Sequence, residues 1–210
     1  MKTSVQKKII IKKAADHDLV DELVQIHMQS FKGFFLTSLG TGFLKKLYLG
    51  FIDEPHSDVY IAKKEDDIVG FLAYSYDLSG FYRYLLCKNL ISFGWYAFCA
   101  FLRKPSIMFK LFRAFLKPSE SSRDEKYVEL SSIAVLPTVQ NCGVGHLLLE
   151  TLKSEIDFEQ YEYLKLETDA ENNIEANYFY VKNHFLLFNT YQTAEGRKMN
   201  EYRYTTANDT

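Results

Sequence analysis

Ser132-Ile133-Ala134-Val135-Leu136-Pro137-Thr138-Val139-Gln140-Asn141-Cys142-Gly143-Val144-Gly145-His146 is the stretch on which the reading of this chain turns. An apolar strand over Tyr127–Val135 ends at Pro137, and a helix is expected from Gly145 to about Ile156, with Leu148, Leu149, Leu152 and Ile156 along one side. Two glycines between them remove side chains where backbone must come close to something else. A turn of this kind offers the unpaired N–H groups of a helix start to an anion, and the helix dipole adds to the attraction. Two other phosphate loops do not fit: position 148 is Leu where a dinucleotide fingerprint needs its third glycine, and Gly145 is followed by His146-Leu147 where a P-loop needs Lys and a hydroxyl.

Outward from the loop, strands and helices alternate. Residues 8–13 read as a strand. A helix follows with Asp16 or Asp18 at its start and Val20, Leu23, Val24, His27, Met28 and Phe31 at helical spacing. A second helix is expected over Phe43–Phe51, then a hairpin of Val59–Lys63 and Ile68–Tyr76. Beyond the loop, a strand over Tyr163–Thr168, a short helix over Asn173–Asn183 and a closing hairpin of Phe185–Tyr191 and Lys198–Tyr204 around Glu195-Gly196 complete a mixed α/β sheet with helices on both faces.

Gln140-x-x-Gly143-x-Gly145 after an Ala-Val-x-Pro strand end resembles the pyrophosphate-binding signature of the GCN5-related N-acetyltransferase (GNAT) superfamily. A second block, Asn173-Ile174-Glu175-Ala176-Asn177-Tyr178-Phe179-Tyr180 leading to Phe185, is similar to the family's Asn-x-x-Ala helix with its aromatic and tyrosine end. Order and spacing of the two blocks match as well. His184 stands where the family often has glycine, which bears on the backbone that closes this helix. The resemblance implies a GNAT-like, mostly antiparallel central sheet with a V-shaped splay between two parallel strands, Tyr127–Val135 and Tyr163–Thr168. It implies acetyl-CoA as co-substrate, without a metal. The implied cofactor-binding residues are Ile133, Ala134 and Val135 through the main chain, Gln140, Asn141, Cys142, Gly143, Val144 and Gly145 around the pyrophosphate, and Asn173 beside the pantetheine. An amine would attack the thioester directly, with Tyr180 as the acid for the departing thiolate and Glu129 as the base. The competing readings are a core tyrosine at 180 and a solvent-facing strand glutamate at 129. A nucleophilic Cys142 would need a partner base, and His146 is the only one nearby in sequence.

Composition sets the remaining bounds. The chain has 210 residues, 47 % hydrophobic and 25 % charged, as expected of one globular domain over 1–210. Three cysteines and five histidines suit neither a disulfide framework nor a zinc site, and point to a reducing, cytoplasmic setting. A net charge of −2 argues against a nucleic-acid partner. The charge is unevenly spread: residues 78–119 contain no Asp or Glu, but hold Arg83, Lys88, Arg103, Lys104, Lys110, Arg113 and Lys117 and 11 of the 33 aromatic residues. Its longest uncharged run, Asn89–Leu102, is too short to span a bilayer. We expect a basic, aromatic helical insertion at 78–119, as two helices broken near Pro105. Its roles stay open among a flap on the domain or on a second copy as a homodimer, a lid for an anionic acceptor such as a nucleotide-linked amino sugar, and a peripheral membrane contact. The activity expected is N-acetyl transfer to a small-molecule amine. The alternative is a CoA-binding or membrane-associated regulatory module with weak or no turnover.

Overall fold

The computed structural model describes residues 8–103, 125–193 and 196–209. Its sheet has seven strands: β1 (Ile9–Lys13), β2 (Ser57–Lys64), β3 (Asp67–Ser75), β4 (Tyr127–Val135), β5 (Tyr163–Asp169), β6 (Leu186–Gln192) and β7 (Lys198–Tyr204), in the order β1-β2-β3-β4-β5-β7-β6. Every neighbouring pair is antiparallel except β4 and β5. The helices are α1 (Val20–Ser30), α2 (Phe35–Ser38), α3 (Thr41–Asp53), α4 (Leu78–Arg103), α5 (Val144–Glu155) and α6 (Ile174–Lys182).

Each face of the sheet carries its own core. Leu23, Val24, Leu44, Leu47, Phe71, Phe81 and Leu85 join α1, α3 and α4 to one face; Leu148, Leu149, Leu152, Leu164, Leu166 and Phe185 seal α5 and α6 onto the other. Alternation along β5 produces this division, with Leu164 and Leu166 turned to the α5 side and Lys165 and Glu167 to the α3 side. Each fully buried leucine or phenylalanine contributes about 1.5–3 kcal/mol.

Predicted and observed elements differ mainly at their ends. Asp16 accepts the Asp18 amide at 3.0 Å and starts a short 3-10 turn that feeds α1. The helix after the glycine loop begins at Val144 because Gly143, at φ 81°, is its N-cap. Of the expected insertion, the break near Pro105 lies outside the described residues. The described part is α4, interrupted at Asn89 (φ −126°, ψ 19°). Its first turns belong to the core: Phe81 stacks on Phe51 at 4.0 Å, and the absence of a side chain at Gly50 leaves the space that Leu85 and Phe81 occupy. A Cβ at residue 50 would displace the end of the Leu85 side chain.

Candidate active site at the opening between β4 and β5

The parallel pairing of β4 and β5 covers four residues, from Tyr127↔Tyr163 to Leu130↔Leu166, although both strands continue beyond it. A bulge starts the divergence. Pairing of β4 with β3 jumps from Leu130↔Tyr74 to Ser132↔Ala73, leaving Ser131 unpaired. Past the bulge, the Leu136 amide donates to Val69 O at 2.8 Å, which marks Leu136, and by antiparallel alternation Ala134 and Ser132, as the residues bonded to β3. Ile133 and Val135 therefore turn their N–H and C=O groups toward the opening. Ala134, expected to contribute its main chain as well, directs its own into the β3 ladder.

The loop that follows is shaped by backbone. Asn141 (φ 60°) and Gly143 (φ 81°) are both left-handed, on either side of the exposed Cys142. Such alternation gathers amide groups into an anion-binding concavity at the start of α5. Val144 anchors the loop in the core, while a Cβ on Gly145 would meet Phe179 Cζ at 3.1 Å. The Gln140 side chain braces the loop from behind, donating to Val135 O at 3.2 Å, an oxygen that Ser30 Oγ also reaches at 3.3 Å. No lysine or arginine occurs from Tyr127 to Leu152, so within this stretch the backbone amide groups supply the positive potential. His146 bonds Asn183 Oδ1 through Nδ1 at 2.7 Å and so serves to tie α5 to α6.

On the far side of the opening, Asn173 donates to Thr168 Oγ1 at 2.7 Å and holds the turn from β5 into α6. Asn177 continues the brace, donating to Asp169 O and accepting from Asn200 and the Tyr202 hydroxyl. Tyr180 is nearly buried among Phe185 and Tyr202, with ring centroids 5.9 Å from each. Burial raises its hydroxyl well above the ordinary tyrosine range, so it stays protonated at neutral pH. The helix ends in the αL conformation at His184 (φ 64°), with Phe185 N donating to Tyr180 O and His184 N to Val181 O. A histidine thus adopts the left-handed cap that glycine forms with less strain.

Glu129 lies on the opposite face. It is 6 % exposed, which excludes the solvent-facing alternative. Burial lifts its carboxyl to about 7, against the pull of Lys165, whose Nζ is 3.3 Å from Oε2; Glu167 and Glu201 add repulsion. Burial alone would lower Lys165, but Glu129 and Glu167 raise it overall, and it remains charged. Sequence reasoning missed Glu167, the first residue of β5 past the last parallel pair. Lys165 contacts it at 2.9 Å, and Tyr191 donates to it at 2.7 Å. The alternation Leu164-Lys165-Leu166-Glu167 was the available signal.

Three further polar groups on this face were also missed. His27 Nδ1 lies 2.6 Å from the Tyr48 hydroxyl, which lies 3.4 Å from Ser132 Oγ. The bulge puts Ser132 on the same face as Glu129; in a regular strand their spacing of three would put them on opposite faces. Burial lowers His27 to about 4, so it is neutral; its Nε2 has no hydrogen-bond partner among the described residues. Tyr82 of α4 also approaches the carboxylates: burial, with Glu129 and Glu167 nearby, raises it to about 12.

Among the described residues no three His, Cys, Asp or Glu side chains group to hold a metal ion, and no helix is long and apolar enough to cross a membrane. A search of curated proteins found no match. Solved structures with the same fold include a GNAT-family acetyltransferase from Bacillus cereus, with TM-score 0.57 and 17 % identity over 94 % of this chain and 97 % of that one. The PaiA N-acetyltransferase from Thermoplasma acidophilum in complex with coenzyme A gives 0.57 and 12 %, covering 94 % and 99 %. Arabidopsis thaliana NAA60 in complex with acetyl-CoA gives 0.58 and 14 %, covering 95 % and 99 %. Residues 20–185 match the sequence model of the family described as Acetyltransferase (GNAT) family, and the chain belongs to that family.

Proposed function

We propose that this protein is an N-acetyltransferase that moves the acetyl group of acetyl-CoA to a primary amine of a small molecule by direct attack. What supports this reading is the opening left where the parallel pairing of β4 and β5 stops after four residues, next to the left-handed loop at Asn141–Gly145, with Tyr180 buried on the α6 side of the sheet and Glu129 buried on the α3 side. A thioester in the opening would supply the activated acyl group. Ile133, and Val135 through its N–H, offer main-chain groups to its pantetheine arm, and the left-handed loop at Asn141–Gly145 suits the diphosphate. Glu129, with a carboxyl near 7, is matched to accept a proton from an amine around neutral pH. Tyr180, protonated and enclosed, is matched to return one to the thiolate. Ser132, held through Tyr48 and His27, is a hydroxyl that the amine would meet beside Glu129.

Titration calorimetry with acetyl-CoA, followed by thiol release across a panel of polyamines, aminoalkyl compounds and amino sugars, tests the reading. Saturable binding with amine-dependent release is expected. Binding without release for any amine would favour the regulatory module, and a folded protein that binds no CoA would overturn both.

A further inference from the structure

Beside the opening, one ammonium stands between two carboxylates. Lys165 is the register partner of Glu129 across the parallel ladder, and Glu167 is the next residue of β5 on the same face. The lysine does not serve the two equally. Its Nζ lies 2.9 Å from Glu167 Oε1 and 3.3 Å from Glu129 Oε2, and that Glu129 oxygen, though buried, has no hydrogen-bond partner among the described residues. The bias comes from β6. Tyr191 reaches across β7 and donates to Glu167 Oε2 at 2.7 Å, so both oxygens of Glu167 are engaged and its carboxylate is held toward the lysine. The other neighbours leave this arrangement in place: the Tyr127 ring lies beneath Nζ at 5.3 Å, and Tyr82 of α4 faces both carboxylates. On β7, Arg203 gives Nε to Glu201 at 2.8 Å and lays its guanidinium on Tyr163 and Phe188.

We propose that Lys165 and Tyr191 are positioning residues for Glu129: Tyr191 holds Glu167, Glu167 draws the ammonium to its own side, and Glu129 is left with a cation beside it and one oxygen unbonded. The inference rests on the reading of Glu129 as the base, for which the unbonded oxygen is the one that takes the amine's proton. Its physical content is a balance. Hydrogen-bonded to Lys165, Glu129 would hold its negative charge too firmly to accept a proton; with no cation nearby, burial and the repulsion of Glu167 and Glu201 would keep it protonated. A cation close by but engaged elsewhere leaves the carboxylate between those limits.

Carbon-13 NMR of the full chain labelled at the glutamate carboxyl carbons tests this without any turnover, with the Glu129 signal identified by its loss in Glu129→Gln. Lys165→Met should raise the Glu129 titration midpoint by about one to two pH units, because the nearby cation is gone. Tyr191→Phe should lower it by about one pH unit, because Glu167 is released and the ammonium turns its N–H groups to Glu129. The rise of kcat/KM with pH should move with each midpoint. Opposite displacements are the signature, since a loss of packing gives no reason for the sign to reverse. If Lys165→Met fails to fold, Tyr191→Phe, at a half-buried position, decides. Midpoints that stay at the wild-type value, or that move the same way in both variants, would overturn the proposal. Opposite displacements by NMR that kcat/KM does not follow would leave the positioning standing and remove Glu129 as the base, so the two readings fail separately.

Discussion

The two faces of the sheet are built by different means. On the α5–α6 side the candidate site is made of backbone: left-handed residues at Asn141 and Gly143, a glycine against Phe179, and a helix start, all within a few residues of sequence. On the α1–α3–α4 side it is made of polar side chains delivered by five elements: His27, Tyr48, Tyr82, Ser132, Glu129 and Glu167. A backbone cradle suits a ligand whose phosphate chemistry does not vary. A set of side chains on separate elements suits a ligand that does, because each can change without disturbing the ladder.

The sharpest way to break this comparison is at Tyr180. Tyr180→Phe keeps the ring among Phe185 and Tyr202, and should lower kcat by about 10²- to 10⁴-fold while the calorimetric affinity for acetyl-CoA holds. An undiminished kcat would remove Tyr180 from proton transfer. Glu129→Gln should cost about 10²-fold in kcat/KM and alter its pH dependence. The unprotonated carboxylate is the active form, so wild-type kcat/KM should rise with pH through about 7, and that rise should vanish in the variant. Persistence of the rise would transfer the role to Glu167.

His27 tests the same face through stability. Its folded value of about 4 lies below the ordinary 6.5, so the unfolded chain takes up a proton over that interval while the folded chain does not. Stability contributed by the neutral imidazole is complete above 6.5 and is lost as pH falls toward 4, by about 3 kcal/mol. Urea denaturation of wild type and His27→Leu at pH 7 and pH 4.5 should show a fall in the first that is largely missing in the second; equal falls would disprove the assignment. The smallest effect is expected in the cradle. Gly143→Val forces a β-branched residue into φ 81°, a conformation that costs an ordinary residue about 1–2 kcal/mol, and should weaken acetyl-CoA binding about tenfold with little change in kcat at saturation.

The loop face was legible in the amino-acid string because its signal is local. Gly143 and Gly145 mark positive φ and close approach, Pro137 marks the strand end, and Asn173 to Tyr180 occupy consecutive positions on one helix. His184 shows the limit of that reading: the left-handed cap formed with the less favourable residue, because the Schellman bonds to Tyr180 and Val181 and the contact of Phe185 with Tyr180 hold it there. Glu129 could be named from its strand, yet whether it faced water or the core depended on what α3 and α4 covered. Glu167 required knowledge of which strand β5 leaves and where.

Sequence alone therefore determined the order of elements, the glycine cradle and the tyrosine at the end of the second block, since each depends on torsion preferences and periodicity within about ten residues. Tertiary structure decided the rest. It brought His27 and Tyr48 to Ser132, and turned Ser132 to the side of Glu129 through one unpaired residue. These are contacts between residues 21 to 84 positions apart and a two-residue periodicity reset by a bulge, neither of which any short window of sequence contains.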